Sequence, residues 1–232
     1  MTITVIMERI NCRLCEFKST AASHLKGEEL DVLGKNCAQV EFKPGDNIFK
    51  QNALSSNIIY VQQGFIKLHM MGPDRESILR ISKAPTYLGI PTTVGDRINH
   101  YSATALTGVI ACFIDINAFK KFIFRNGNFA YEIILDLCKN ELYNFHNCVN
   151  KAQKQLNGRI ADALLFLSDE FFQSDEIELF LNRNELADLV GSSRESVSRI
   201  LNQFNEDRII RMEGKKINLL NRNSLELISR KG

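Results

Sequence analysis

The stretch LNRNELADLVGSSRESVSRILNQF, residues 181 to 204, constrains this chain more than any other. Leu186, Ala187, Leu189 and Val190 precede Gly191, and Val197, Ile200, Leu201 and Phe204 follow it at three- and four-residue spacing. The stretch therefore reads as two short helices, each with one apolar face. Those faces pack together only across a tight turn. Ala187 is small enough for a close approach, and Gly191 permits the positive φ that such a turn demands. Val197, ten residues after Ala187, fills the angle between the helices. Ser192 or Ser193 can cap the second helix, which leaves Arg194, Glu195, Ser198 and Arg199 on its outer, N-terminal side.

A small residue, a glycine and a β-branched residue in that order form the helix-turn-helix pattern, whose second helix can enter the major groove of a duplex. Two amphipathic helices around a glycine also occur in ordinary helical domains, and Glu195, three residues after Ser192, would equally complete a capping box, so context decides. Downstream, RIIRMEGKKINLL alternates apolar residues on either side of Gly214-Lys215, the pattern of a β-hairpin wing with Lys215 and Lys216 near its tip. From Gly191 to the end there are nine Lys/Arg against five Asp/Glu, a local excess suited to phosphates in a chain whose overall charge is only +2. Ser193, Lys215 and Lys216 are accordingly expected to meet the DNA backbone, and Arg194, Glu195, Ser198 and Arg199 the base edges.

With 232 residues, 44% hydrophobic and 24% charged, the chain can bury a sizeable core in one large or two modest domains. No apolar run approaches the roughly 20 residues of a membrane span. The opening MTITVIMERINC has no basic stretch ahead of its short apolar patch, so a cytoplasmic location with no membrane partner is expected. Six cysteines are too sparse for a disulfide scaffold.

Before the helical pair, Leu25, Leu30 and Leu33 predict a short helix with Glu28 and Glu29 in its first turn. From Val40 to Asp115, short alternating runs are broken at roughly ten-residue intervals by Pro and Gly signals, which predicts an antiparallel jelly roll. Asn117 to Arg125 reads as a short helix. Asn128 to about Leu156 reads as a long one, with apolar positions 130, 133, 134, 137, 142, 145, 149, 152 and 156. A lone long helix has more apolar surface than one neighbour covers, so pairing with a second copy is expected, against the alternative that the stripe packs on its own roll. GRIADALLFLSDEFF then reads as one apolar helix that begins a second domain, followed by an acidic turn from Gln173 to Glu178. The fold class is α+β.

A β-roll, a long helix and a winged helix-turn-helix in this order resemble the bacterial catabolite-activator and fumarate-nitrate-regulator (Crp/Fnr) family over nearly the whole chain. FKPGDNIFKQN, YVQQGFIKL, ALTGVIACFIDINAF, GRIADALLFL and LADLVGSSRESVSRIL carry the resemblance. It implies a sensor domain over residues 1–127 with a double-stranded β-helix of the cyclic-nucleotide-binding type. A dimerisation helix over 128–156 and a winged helix-turn-helix over 157–232 would follow. The implied partners are double-stranded DNA read as an inverted repeat, a second copy in a homodimer, RNA polymerase and a small-molecule effector. Arg199 would offer its fork to guanine and Glu195 would accept from cytosine.

In cyclic-nucleotide-binding members, a Gly-Glu pair followed about ten residues later by Arg-Ser-Ala holds the ribose and the phosphate. Here the matching stretch is LGIPTTVGDRINHYSATA, so Gly89, Ile90, Tyr101 and Ser102 mark the effector pocket. Ile90 replaces the glutamate and Tyr101 the arginine, which argues for an effector other than a cyclic nucleotide. Cys12, Cys15 and Cys112 fall where the oxygen-sensing branch places iron–sulfur ligands, but a third N-terminal cysteine is missing and Cys37 lies beyond the usual spacing. The residues themselves demand no cofactor, leaving an iron–sulfur or thiol-redox regulator as an alternative reading. Four scattered histidines with no His-x-His disfavour a metal-dependent cupin, and no catalytic motif appears, so the expectation is a non-enzyme. The other alternative is a ligand-binding roll protein without DNA readout.

Overall fold

The computed structural model describes residues 11–232, so the reading of the first ten residues lies outside it. The chain divides into two compact units, one ending at Leu142 and one beginning at Tyr143, a cut that falls inside the long helix.

The first unit opens with α1 (Thr20–Ser23) and α2 (Glu28–Lys35), the latter carrying Glu28 and Glu29 in its first turn as expected. Two four-stranded antiparallel sheets follow. One contains β1 (Cys37–Phe42), β8 (Val109–Asp115), β3 (Asn57–Gln63) and β6 (Thr86–Leu88) in that order. The other contains β2 (Asn47–Phe49), β7 (Ser102–Ala105), β4 (Phe65–Met71) and β5 (Glu76–Lys83). Ile59, Val61, Val109 and Ala111 from the first sheet meet Ile66, Leu68, Ala103 and Ala105 from the second in the roll's interior.

Strand side chains alternate, so the other face of the first sheet carries Ile58, Tyr60, Cys112 and Ile114. That face is covered too, by Leu33 of α2, by Phe119 and Phe122 of α4 (Ile116–Arg125), and by Phe129 and Ile133 of α5 (Gly127–Gln153). Burial on both faces explains why NIIYVQQ in β3 reads as a continuous apolar run rather than an alternating one. A short helix, α3 (Ile90–Val94), lies between β6 and β7.

Helix α5 ends three residues before the expected Leu156, and its apolar positions form two stripes rather than one. Phe129, Ile133 and Leu137 turn onto the roll's outer core. Ile134, Leu142, Phe145 and Val149 are more than half exposed. The inward set packs on the chain's own roll, and the outward set is left uncovered by the described residues.

The second unit continues with α6 (Leu156–Phe166), whose Ile160 and Leu164 are fully buried. The single helix expected over GRIADALLFLSDEFF breaks into a π-helical turn at Leu167–Phe172, closed by Gln173 at φ +50°. Within the stretch read as an acidic turn, Glu176–Glu178 form a strand, β9. Then come α7 (Arg183–Val190), α8 (Arg194–Glu206), β10 (Ile210–Glu213), β11 (Lys216–Leu219) and α9 (Arg222–Lys231). The wing is thus three-stranded, in the order β10-β11-β9. Gly158 of α6 lies against the backbone of Gly232, where a side chain would come within 2.9 Å of it, so α9 closes tightly onto α6.

Candidate nucleic-acid interface and sensor sites

Asn182 starts α7 with a reciprocal capping box: its side chain accepts from the backbone of Asn184 and Glu185, and Glu185 accepts from Asn182 N–H at 2.9 Å. The helix stops at Gly191, whose φ of +67° and ψ of +49° are the left-handed geometry the turn needs. Ser193, not Ser192, caps α8 by accepting from Ser196 N–H at 3.2 Å, which makes Arg194 and Glu195 its first two helical residues. Leu186, Val197 and Leu201 are fully buried, and Ala187, Val190 and Phe204 nearly so. They bind α7 to α8 and hold the second helix on its inner face alone.

The outer face is left open. Arg194, Glu195 and Arg199 are exposed and Ser198 half-exposed. Glu195 and Arg199 are one helical turn apart, yet the described residues contain no ion pair within 4.0 Å that engages Arg194, Glu195 or Arg199. The wing brings Lys215 and Lys216 to its tip, both exposed, with Gly214 at φ +64° making the turn. Lys216 stands opposite Glu213 on β10 and opposite Glu178 on β9, whereas Lys215 lies in the turn outside the ladder. One cation counted in the basic excess is spent internally: Arg222 pairs with Asp169, with Asp175 at 3.0 Å and with Glu226 at 3.2 Å, tying α9 to the π-helical turn and to the residue that precedes β9.

In the roll, Gly89 caps α3 at φ +79° and its N–H donates to the Tyr101 hydroxyl at 3.3 Å. Burial pushes the Tyr101 phenol above its ordinary value. Ser102 Oγ accepts from the backbone of Gln51 at 2.9 Å. Tyr101 packs against the interior core, whereas Ile90 packs into the outer one with Tyr60 and Tyr87. Arg97, at φ +63°, is exposed on its loop.

Four thiols do converge. Cys12, Cys15, Cys37 and Cys112 line a single small cavity beside Tyr60, Gln62 and Lys18. Cys37, set aside on spacing, joins because β1 pairs with β8 and carries it onto the same outer face as Cys112. Contacts with the Cys112 and Cys12 sulfurs, together with burial, push the Cys37 thiol up. The hydrogen bond from Cys37 holds the Cys12 thiol down against the effect of burial, with Lys18 assisting. The cavity measures about 30 Å³, roughly the share of one water molecule. Among the described residues no three His, Cys, Asp or Glu are gathered so as to hold a metal ion. The donor chemistry would suit an iron–sulfur cluster, but the space between these thiols does not fit one.

A β-roll, a long helix and a winged helix-turn-helix with its reading face open define the class: a DNA-binding transcriptional regulator with a sensor-type roll. A family model for the cyclic nucleotide-binding domain matches residues 39–126, and one for the Crp-like helix-turn-helix domain matches residues 158–228. The chain belongs to the Crp/Fnr family of transcriptional regulators.

The CRP-like cAMP-activated global transcriptional regulator of Mycobacterium tuberculosis is 26% identical over 191 residues, 80% of this chain and 85% of that protein. The transcriptional activator protein Anr of Pseudomonas protegens is 22% identical over 198 residues, 83% of this chain and 81% of that protein. Among solved structures, a Crp/Fnr-family regulator from Eubacterium rectale superposes with a TM-score of 0.76 at 16% identity, covering 90% of this chain and 97% of that one. Among the described residues no helix is long and apolar enough to cross a membrane.

Proposed function

We propose that the protein binds an inverted-repeat operator as a homodimer, and that Arg199 and Glu195 share one G·C pair in each half-site. The open outer face of α8, presented by a buried inner face and a left-handed turn, carries this reading. Arg194 and Ser198 touch neighbouring base edges, and Ser193, Lys215 and Lys216 meet phosphates. Two copies on a two-fold axis enter successive major grooves about one helical turn apart. The exposed stripe on α5 is the surface that pairs them, and RNA polymerase is the partner on which the bound dimer acts. The protein works as a regulator and not as an enzyme.

Arg199→Ala should cost about 1–3 kcal/mol on the preferred duplex and relax the choice at one base pair. Binding curves on matched and singly substituted duplexes at several salt concentrations measure this. An equal loss on every sequence would make Arg199 a backbone contact, and no loss at all would sink the helix-turn-helix reading.

The roll responds to an effector other than a cyclic nucleotide. A phenol at 101 offers no charge to a cyclic phosphate, and Ile90 no carboxylate to a ribose. The M. tuberculosis relative is described as cAMP-activated, so the two chains differ in effector on this reading.

A second reading, thiol-based redox sensing, is favoured by the contacts that link Cys12, Cys37 and Cys112. The Cys12 thiolate would attack a peroxide oxygen and expel hydroxide. The resulting sulfenic acid would condense with the Cys37 thiol, releasing water and forming a disulfide. Peptide mapping after peroxide treatment should find Cys12 joined to Cys37, and two free thiols at those positions would exclude it.

A further inference from the structure

A cavity of about 280 Å³ lies where the C-terminal half of α5 faces α6 and the end of α7. Its lining divides by chemistry. Phe166, Leu189 and Val190 form an apolar side, with the Tyr143 ring 5.9 Å from that of Phe166. Lys151 and Arg159 bring two cations to the same space.

The carboxylate on this lining is already committed. Asp162 accepts from Lys154 Nζ at 2.5 Å through one oxygen and from the Ser229 hydroxyl through the other. Burial first, and then the neighbouring Arg159, hold the Lys151 ammonium below its ordinary value, with the Cys148 thiol acting the other way. Arg159 donates one N–H to the Lys151 carbonyl at 3.3 Å, a cap on the last turn of α5. Its Nε is buried without an acceptor among the described residues. A helix cap uses one arm of the guanidinium and leaves that donor unexplained, and buried donors without acceptors are rare in native proteins. Two adjacent cations and an orphan N–H are the complement of an oxyanion, and a planar fork suits carboxylate and phosphate alike.

We propose that this cavity binds a small organic oxyanion, a carboxylate or phosphate monoester on a short aryl or acyl stem. The oxyanion is held by Arg159 and Lys151, and the stem lies against Phe166 and Leu189. The space holds roughly nine water-sized groups, which bounds the ligand to one ring or a short chain. Arg159 also lies beside the turn of the helix pair, since a side chain at Gly191 would come within 3.7 Å of its guanidinium. The ligand therefore bears on the seat of α7, and whatever it does to duplex affinity the duplex does to its own. The site itself is independent of the reading of α8, because its test uses no DNA.

The probes are 4-fluorophenyl phosphate and 4-fluorobenzoate, with 4-fluorobenzamide as the neutral counterpart, followed by fluorine line broadening on the full chain. At least one anion should bind with a dissociation constant below about 1 mM, and the benzamide at least about tenfold more weakly. Whichever anion binds tighter identifies the headgroup. Arg159→Gln and Lys151→Gln should each weaken the anion by at least about tenfold, while Lys121→Gln, exposed on α4, should not. If Arg159→Gln fails to fold, Lys151→Gln decides alone. Equal binding of the benzamide, unchanged affinity in the variants, or no binding of either anion at about 5 mM would overturn the proposal.

Discussion

Replacing the wing lysines one at a time separates a cation in the open turn from one with two carboxylates opposite it on the neighbouring strands. Lys216 opens β11 directly opposite Glu213 and Glu178, and side chains opposite each other on an antiparallel ladder lie within about 5 Å at their Cβ atoms. Its register therefore places two carboxylates on neighbouring strands beside it, without an ion pair within 4.0 Å among the described residues, while Lys215 sits in the turn outside that register. Each phosphate neutralised contributes about 0.9 to the slope of log affinity against log salt. With both wings of a dimer docked, Lys215→Ala should make the slope shallower by about 1.8. Over a fourfold rise in salt that difference amounts to about 12-fold in affinity. Lys216→Ala should give less than half of this, and Glu178→Gln, which removes one competitor, should steepen the slope instead.

Fluorescence anisotropy of a labelled duplex at four salt concentrations supplies the slopes. Equal effects of Lys215→Ala and Lys216→Ala, with no effect of Glu178→Gln, would refute the claim that strand register rations the wing's charge. An unchanged slope in Lys215→Ala would take the wing off the DNA.

Phe145 is 58% exposed on the outward stripe of α5, so Phe145→Glu should leave the monomer's fold intact and convert a dimer to a monomer in sedimentation velocity. A wild-type chain that already sediments as a monomer would refute the pairing. Burial raises the Asp136 carboxyl above its ordinary value, against the opposing pull of Arg80, Lys139 and Asn140. Because its folded value lies above the unfolded one near about 3.9, stability is lost as pH rises through that window, and the loss is complete above the folded value. Asp136→Asn should therefore raise the melting temperature near neutral pH, with the gain shrinking as pH falls toward about 3. A gain independent of pH would mean that ionisation is not its cause.

The helix pair was legible in the sequence because all its determinants lie within 24 residues. Apolar spacing, one glycine with positive φ and a cap act between near neighbours, and buried Leu186, Val197 and Leu201 were each marked by period alone. The roll was legible for a similar reason, since turn signals and alternation recur along one stretch of chain. Short-range patterns could not choose between Ser192 and Ser193 as the cap, nor see β9, whose three residues become a strand only by pairing with β11.

Tertiary structure alone decided what depends on distant residues meeting. Period told which residues of α5 are apolar but not which face the roll covers, so one expected stripe became an inward set at Phe129, Ile133 and Leu137 and an outward set at Ile134, Leu142, Phe145 and Val149. Arg222 counted as free charge until three carboxylates met it, two of them more than forty positions away. Cys37 is 75 residues from Cys112, and only the β1–β8 pairing puts both on one wall. The cavity at Arg159 draws on three helices. Local spacing reports what a residue's neighbours in sequence require of it, whereas charge compensation, thiol contact and enclosed volume are set by which surfaces the fold brings together.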